Sequence, residues 1–176
     1  MSLWASETAV STVGPLIKVM TEPSCKPVAL SQYRGKVVAL IFILTTCPHC
    51  QKTIGLLAKQ QNEFGPSGLQ VVASAVDTTA ALAVPNFIKT FNPPFPVGYN
   101  TDSNAVLDYL QHPRMVVPYM PLLVFIDRQG VIRAQYEGHD PFMDEASQEA
   151  NLRAKITELL KAGEPPRKTP AAKKRG

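Results

Sequence analysis

Lys36-Val37-Val38-Ala39-Leu40-Ile41-Phe42-Ile43-Leu44-Thr45-Thr46-Cys47-Pro48-His49-Cys50 is the stretch on which the rest of the chain turns. Val37 to Leu44 is an unbroken apolar run, rich in β-branched residues and preceded by Gly35, as expected of a strand buried on both faces of a sheet. From Pro48 to Phe64 the period changes. Ile54, Leu57, Ala58 and Gln61 recur at helical spacing, with Lys52, Lys59 and Gln60 between them, and Gly65-Pro66 stops the helix. The two cysteines therefore straddle the point where a core strand hands over to a long helix.

That position has chemical consequences. Thiols at i and i+3 across a helix start can close a small disulfide ring. The first of them, Cys47, faces the free backbone N–H groups and the positive end of the helix dipole, which favour a thiolate. Pro48 suits the first helical turn, where its missing N–H leaves nothing unpaired. His49 can offer Cys47 a hydrogen bond or, when protonated, a charge. Cys50, one turn in, is expected to be shielded and to act as the resolving thiol. Such a pair exchanges disulfides through a mixed disulfide at Cys47 that Cys50 then breaks, and it needs no metal or organic cofactor. Two bland alternatives stand beside this one. A structural zinc site lacks its second ligand pair, since only Cys25, His112 and His139 remain and they are scattered. A purely structural cysteine pair is the other.

Outward from this centre, strand-like and helix-like stretches alternate. Leu16–Met20 and Val28–Leu30 flank Thr21-Glu22-Pro23-Ser24 as a β-hairpin. Leu69–Val76 predicts a second buried strand, followed by a helix capped at Thr78 or Thr79, running through Phe87, Ile88 and Phe91, and starting or kinking at Pro85. Val97–Tyr99 is a short extended piece, and Asp102 caps a helix carrying Ala105, Val106, Tyr109 and Leu110. Leu122–Ile126 predicts a third buried strand, returning through the Asp127–Gly130 turn as Val131–Tyr136, and a last helix spans about Asp144 to Leu160. The order defines an α/β fold with a mixed sheet covered on both sides.

Composition narrows the function. The 176 residues are 45% hydrophobic and 18% charged, enough for one domain with a sizeable core. No apolar run approaches the length that crosses a bilayer. Three cysteines are too few to staple a coreless mini-domain. The formal charge of +4 is unevenly placed, with 12 Lys and Arg against 13 Asp and Glu up to residue 160, and 6 against 1 from 161 onward. The basic, proline-rich end, residues 163–176, is expected to be a solvated tail. It holds no aromatic residue to stack on a base, so no specific nucleic-acid partner is expected. Residues 1–13 read as a leader with no signal peptide of their own, consistent with a signal or anchor already removed.

Val117-Pro118-Tyr119-Met120-Pro121 precedes the third core strand. A proline there is expected to form a cis bond with Met120, placing the Met120 backbone beside Cys47, where it can pair with an extended substrate strand. With these residues in view the chain resembles the thioredoxin superfamily, and within it the TlpA/ResA-like thiol-disulfide oxidoreductases. The likeness runs from about Gly14 to Lys161. It rests on the N-terminal hairpin, Tyr33-Arg34-Gly35-Lys36-Val37-Val38, the Cys-Pro-His-Cys tetrad, Phe95-Pro96-Val97, and Pro121 through Gly130. The Pro-His dipeptide is similar to that of DsbA-type oxidases. The resemblance implies a thioredoxin-like domain over residues 14–162, a central mixed β-sheet flanked by helices. It also implies Cys47 as nucleophile and Cys50 as resolving thiol, supported by Thr46, Pro48 and His49, with Met120 and Pro121 binding substrate. Three positions depart from these families. Thr46 stands where a Trp is usual, Ile41 where thioredoxins place a buried acid, and Met120 where Thr is common. The missing acid favours the oxidant direction, because nothing in the strand is placed to deprotonate Cys50.

The implied activity is disulfide exchange with protein substrates and a redox partner protein, by a monomer facing the bacterial periplasm or cell envelope, near the membrane through a removed N-terminal segment. A cytoplasmic reductant is the alternative location and role. Two other functions remain in view. A peroxiredoxin-like thiol peroxidase would need Pro at 40 and Thr at 44, where the chain has Leu40 and Leu44. A copper(I)-binding protein would use the same two soft thiolates. Cys25 reads as a small buried residue, and His112 and His139 as surface residues in capping or turn roles.

Overall fold

β3, Val37–Ile43, is buried along its whole length in the interior of a seven-stranded sheet. The computed structural model describes residues 17–21 and 24–162, with side chains from residue 26 onward. The leader at 1–13 and the basic tail at 163–176 lie outside the described residues, as does the side chain of Cys25.

The remaining elements follow in chain order: β1 Ile17–Thr21, β2 Ser24–Val28, α1 Pro48–Phe64 after β3, β4 Leu69–Ala75, α2 Ala80–Phe91, β5 Val97–Tyr99, α3 Ser103–Tyr109, β6 Leu122–Ile126, β7 Ile132–Tyr136 and α4 Gln148–Ala162. The strand order is β2-β1-β5-β4-β3-β6-β7. β3 runs parallel to β4 and antiparallel to β6, so the sheet is mixed, as the alternation of patterns predicts. Because side chains alternate along a strand, β3 feeds two cores. Val37, Ala39, Ile41 and Ile43 pack with Ile54 and Leu57 of α1, Val84 and Phe87 of α2, and Leu152 and Ile156 of α4. Val38, Leu40 and Phe42 pack on the other face with Val106 and Leu110. A fully buried side chain of this kind stabilises by about 1.5–3 kcal/mol, and truncating one costs about 2–5 kcal/mol.

Several boundaries differ from the sequence expectations, each for a local reason. The hairpin's second strand is Ser24–Val28, and Leu30 enters a 3-10 turn, Leu30–Tyr33. α2 begins at Ala80 and continues through Pro85, which sits exposed inside it. α4 begins at Gln148, because Asp144 binds the N–H groups of Ala146 and Gln148 in a separate turn ahead of the helix.

His112 is the largest correction. It is a core-edge residue, with its side chain only 1% exposed. Gln111 takes a left-handed conformation (φ 54°) just after α3. Gln111 N–H bonds to Asp108 O and His112 N–H to Leu107 O, the two bonds of a Schellman motif. That reversal turns His112 back under the sheet. Glycine usually marks such a stop, and here a glutamine fills it.

Candidate active site

The sheet register places the two loops of the site. β3 pairs with β6 through Phe42↔Leu122, so the residues that follow β3 meet those that precede β6. Leu44 and Met120 consequently line one groove, and His49 and Pro121 line one small cavity. The sequence-predicted residues Cys47, Pro48, His49, Cys50, Met120 and Pro121 are thereby brought to one end of the sheet, and the Met120–Pro121 bond is cis.

Cys47 is the N-cap of α1 and is half-buried, while Cys50 is buried one turn further in. Burial pushes the Cys50 thiol well above its ordinary range, and the neighbouring Cys47 adds to the shift. The Cys50 proton is therefore tightly held. Pro48 and Thr46 are exposed. The loop between β3 and α1 is bonded on every side. Thr45 N–H donates to Asp77 Oδ2 at 3.0 Å, Gln51 Nε2 donates to Thr45 O at 3.0 Å, and Cys47 N–H donates to Leu44 O at 3.1 Å. Asp77 also accepts from the Thr79 hydroxyl at 3.3 Å. One turn into the helix, Thr53 Oγ1 donates to His49 O and accepts from the buried amide of Gln148, tying α1 to α4.

His49 has an acidic neighbour from far along the chain. It is largely exposed, with Nδ1 3.7 Å from Glu145 Oε1, and the other oxygen of Glu145 lies 2.7 Å from Lys52 Nζ. Lys52 and His49 hold the Glu145 carboxyl below the usual carboxylate range, Lys52 being the larger influence. Glu145 is an acid near the imidazole that the Cys-Pro-His-Cys motif gave no sign of.

The second loop is braced from β7. Glu137 Oε2 accepts Tyr119 N–H at 2.9 Å, and Gly138 N–H donates to Tyr119 O at 2.8 Å. Glu137 Oε1 lies 3.1 Å from His112 Nε2, and His112 Nδ1 lies 3.1 Å from Pro113 O. Both ring nitrogens face oxygen atoms, and which of them donates depends on the tautomer. His139, exposed as expected, meets the Tyr119 ring at a tilt of 59° and approaches Glu137 at 3.6 Å. Sequence reasoning missed Gln51, which reaches back to Thr45 from the first turn of α1, and Asp77, Glu137 and His112, which reach the site through sheet neighbours or a helix-end reversal. Asp77 had the one legible signal, an acid directly after a core strand.

Two grooves flank the thiols. One, about 270 Å³, is apolar and lined by Leu44, Val76, Val106, Leu107, Val117 and Met120. The other, about 400 Å³, is lined by Thr45, Thr46, Gln51, Asn86, Thr90 and Phe91 among others. Among the described residues no three His, Cys, Asp or Glu side chains converge to hold a metal ion, and no helix is long and apolar enough to cross a membrane.

A mixed sheet with a Cys-x-x-Cys at the start of α1 and a cis-proline loop opposite is a thioredoxin-like fold, and its parts are arranged in a way similar to ResA-type proteins. Residues 13–135 match the AhpC/TSA family, and the chain belongs to that family. It is 31% identical over 114 residues to the thiol-disulfide oxidoreductase ResA of Bacillus subtilis strain 168, covering 65% of this chain and 60% of that one. It is 28% identical over 120 residues to ResA of Bacillus thuringiensis subsp. konkukian, covering 68% and 65%. The chain thus spans somewhat under two-thirds of the length of these relatives. Its fold is also that of a thiol:disulfide interchange protein of the thioredoxin family from Chlorobium tepidum, with a TM-score of 0.64 at 22% identity over 86% of this chain and 94% of the other.

Proposed function

We propose that this protein is a thiol-disulfide oxidoreductase acting on protein substrates, with Cys47 as nucleophile and Cys50 as resolving thiol. The observation that carries the reading is the asymmetry of the pair. Cys47 is accessible at a helix start and Cys50 is buried behind it with its proton held. In the reducing direction the Cys47 thiolate attacks one sulfur of a substrate disulfide and expels the other as a thiolate. Cys50 then loses its proton and attacks the Cys47 sulfur, releasing the second substrate thiolate. Two electrons pass to the substrate and a Cys47–Cys50 disulfide remains. The oxidising direction is the reverse. Met120 presents its backbone to the substrate strand beside Pro121, and Thr46, Pro48 and His49 shape the exposed rim around Cys47.

The Pro-His dipeptide and the absence of an acid at Ile41 favour the oxidising direction. A pair used to donate disulfides works where thiols are oxidised, so the protein is placed outside the cytoplasm, facing the bacterial cell envelope near the membrane, as a monomer with a separate redox partner. Equilibration with glutathione tests the direction. The expected potential is clearly above that of thioredoxin, about −270 mV, and toward that of DsbA, about −120 mV. A value at or below that of thioredoxin makes the protein a reductant. Cys47→Ser abolishes exchange, whereas Cys50→Ser traps the mixed disulfide. Rapid peroxide consumption by Cys50→Ser would instead identify a thiol peroxidase.

A further inference from the structure

Met120 is the last residue before Pro121, and its backbone N–H and C=O make no hydrogen bond among the described residues. Tyr119, one position earlier, is closed on both sides. Its N–H is taken by the Glu137 carboxylate and its C=O by Gly138 N–H. An incoming extended strand can therefore pair with Met120 but not with Tyr119. Gly138 adds a steric limit. A Cβ at this position would fall against the Met120 carbonyl, 2.7 Å from its carbon and 3.2 Å from Pro121 N. Only a residue without a side chain lets β7 lie this close to the Met120 peptide.

The carboxylate that closes Tyr119 is itself secured. The Glu137 side chain is 14% exposed, and its other oxygen meets His112, whose imidazole is almost wholly enclosed. The groups facing the pair include His139, at 3.6 Å from Glu137 Oε2, and the carbonyl of Pro113. The chain just before the latched residue is exposed by comparison, with Met115 96% and Val117 84% exposed. Glu137 therefore separates an exposed apolar approach from a fixed pairing position.

We propose that Glu137 and Gly138, backed by His112, form a latch that sets the register in which an extended polypeptide pairs with Met120, making Glu137 a positioning residue for exchange with polypeptide disulfides. This rests on the reading of Met120 as the substrate-pairing residue. Without the carboxylate, the Tyr119 N–H is released from the Glu137 side, the adjoining Met120 peptide is no longer held in place, and the cysteine sulfur of the incoming strand no longer arrives opposite Cys47. A small disulfide with no backbone has no register to lose.

The test uses the full chain carrying Cys50→Ser, which isolates attack by Cys47. Two probes share one leaving group: 5,5′-dithiobis(2-nitrobenzoate), and an extended peptide whose single cysteine carries the same nitrothiobenzoate. Glu137→Ala and Gly138→Ala are each expected to slow the peptide reaction at least about tenfold more than the small-disulfide reaction. Glu137→Gln retains most of the peptide rate, because its amide oxygen still accepts Tyr119 N–H while its NH2 donates to His112 in the alternative tautomer. Thermal melts confirm that each variant is folded. An equal loss on both probes, or no loss on either, overturns the latch. If the parent reacts with both probes no faster than free cysteine, it is the assignment of Cys47 as nucleophile that fails.

Discussion

The loop that carries Cys47 and the loop that carries Met120 are braced in parallel ways. In each, a carboxylate just past the end of a neighbouring strand accepts a backbone N–H shortly before the functional residue. Asp77, beyond β4, holds Thr45, and Glu137, beyond β7, holds Tyr119. What lies behind the two carboxylates differs. Asp77 is half-buried and steadied by the Thr79 hydroxyl, while Glu137 is backed by a buried imidazole. An acid near solvent can be steadied by a hydroxyl and water. One enclosed by the core edge needs a donor that accompanies it inward, since an unpaired buried charge is costly. A shared task of loop-holding is thus met with different electrostatics according to depth.

The comparison breaks most visibly at His112. His112→Ala leaves Glu137 without its buried donor and is expected to cost about 3 kcal/mol in urea unfolding. A loss below about 1 kcal/mol would mean that the imidazole is not what supports Glu137. Next in size is Asp77. Asp77→Ala frees Thr45 N–H and should cost about 1–2 kcal/mol, with Asp77→Asn recovering most of it because the amide oxygen can still accept. If Asn is as damaging as Ala, the negative charge matters here too and the contrast between the loops weakens.

The smallest effect is a pH dependence confined to the first loop. Burial raises the Cys50 thiol above its ordinary value of 9.0, so above that pH the unfolded chain releases a proton that the folded protein keeps. The unfolded state then binds fewer protons, and reduced-state stability is intact below pH 9 and falls above it, approaching about 1.4 kcal/mol per pH unit. Unfolding of the reduced protein between pH 8 and pH 10 reads this slope. Cys50→Ser should flatten it, and His112→Ala should not. A slope unchanged by Cys50→Ser would place the titration elsewhere.

Much of this architecture is legible in one dimension. β3 announces itself as an eight-residue apolar run, and α1 as a change of period at Pro48. The thiol pair is readable because its chemistry depends on a helix start, which is a local property. The proline before β6 is readable for the same reason, as is the Asp102 cap, whose side chain accepts Ala105 N–H. His112 failed because its helix ends on a left-handed Gln111, without the glycine that usually gives such a stop away. Glu145, 96 positions after His49, comes within 3.7 Å of its imidazole through a contact that no spacing rule contains.

By itself, then, the amino-acid order determined the α/β class, the core strands, the helix that starts at the thiols and the placing of Cys47 and Cys50 at that start, because each follows from periodicity or from groups within one turn of each other. Only the tertiary structure decided which acids brace the two loops, that His112 lies inside, and that Tyr119 is closed while Met120 stays open. Asp77 and Thr45 are 32 positions apart, and Glu137 and Tyr119 are 18 apart. Strand order alone makes them neighbours, and strand order comes from how seven strands share one twisted sheet rather than from any local preference.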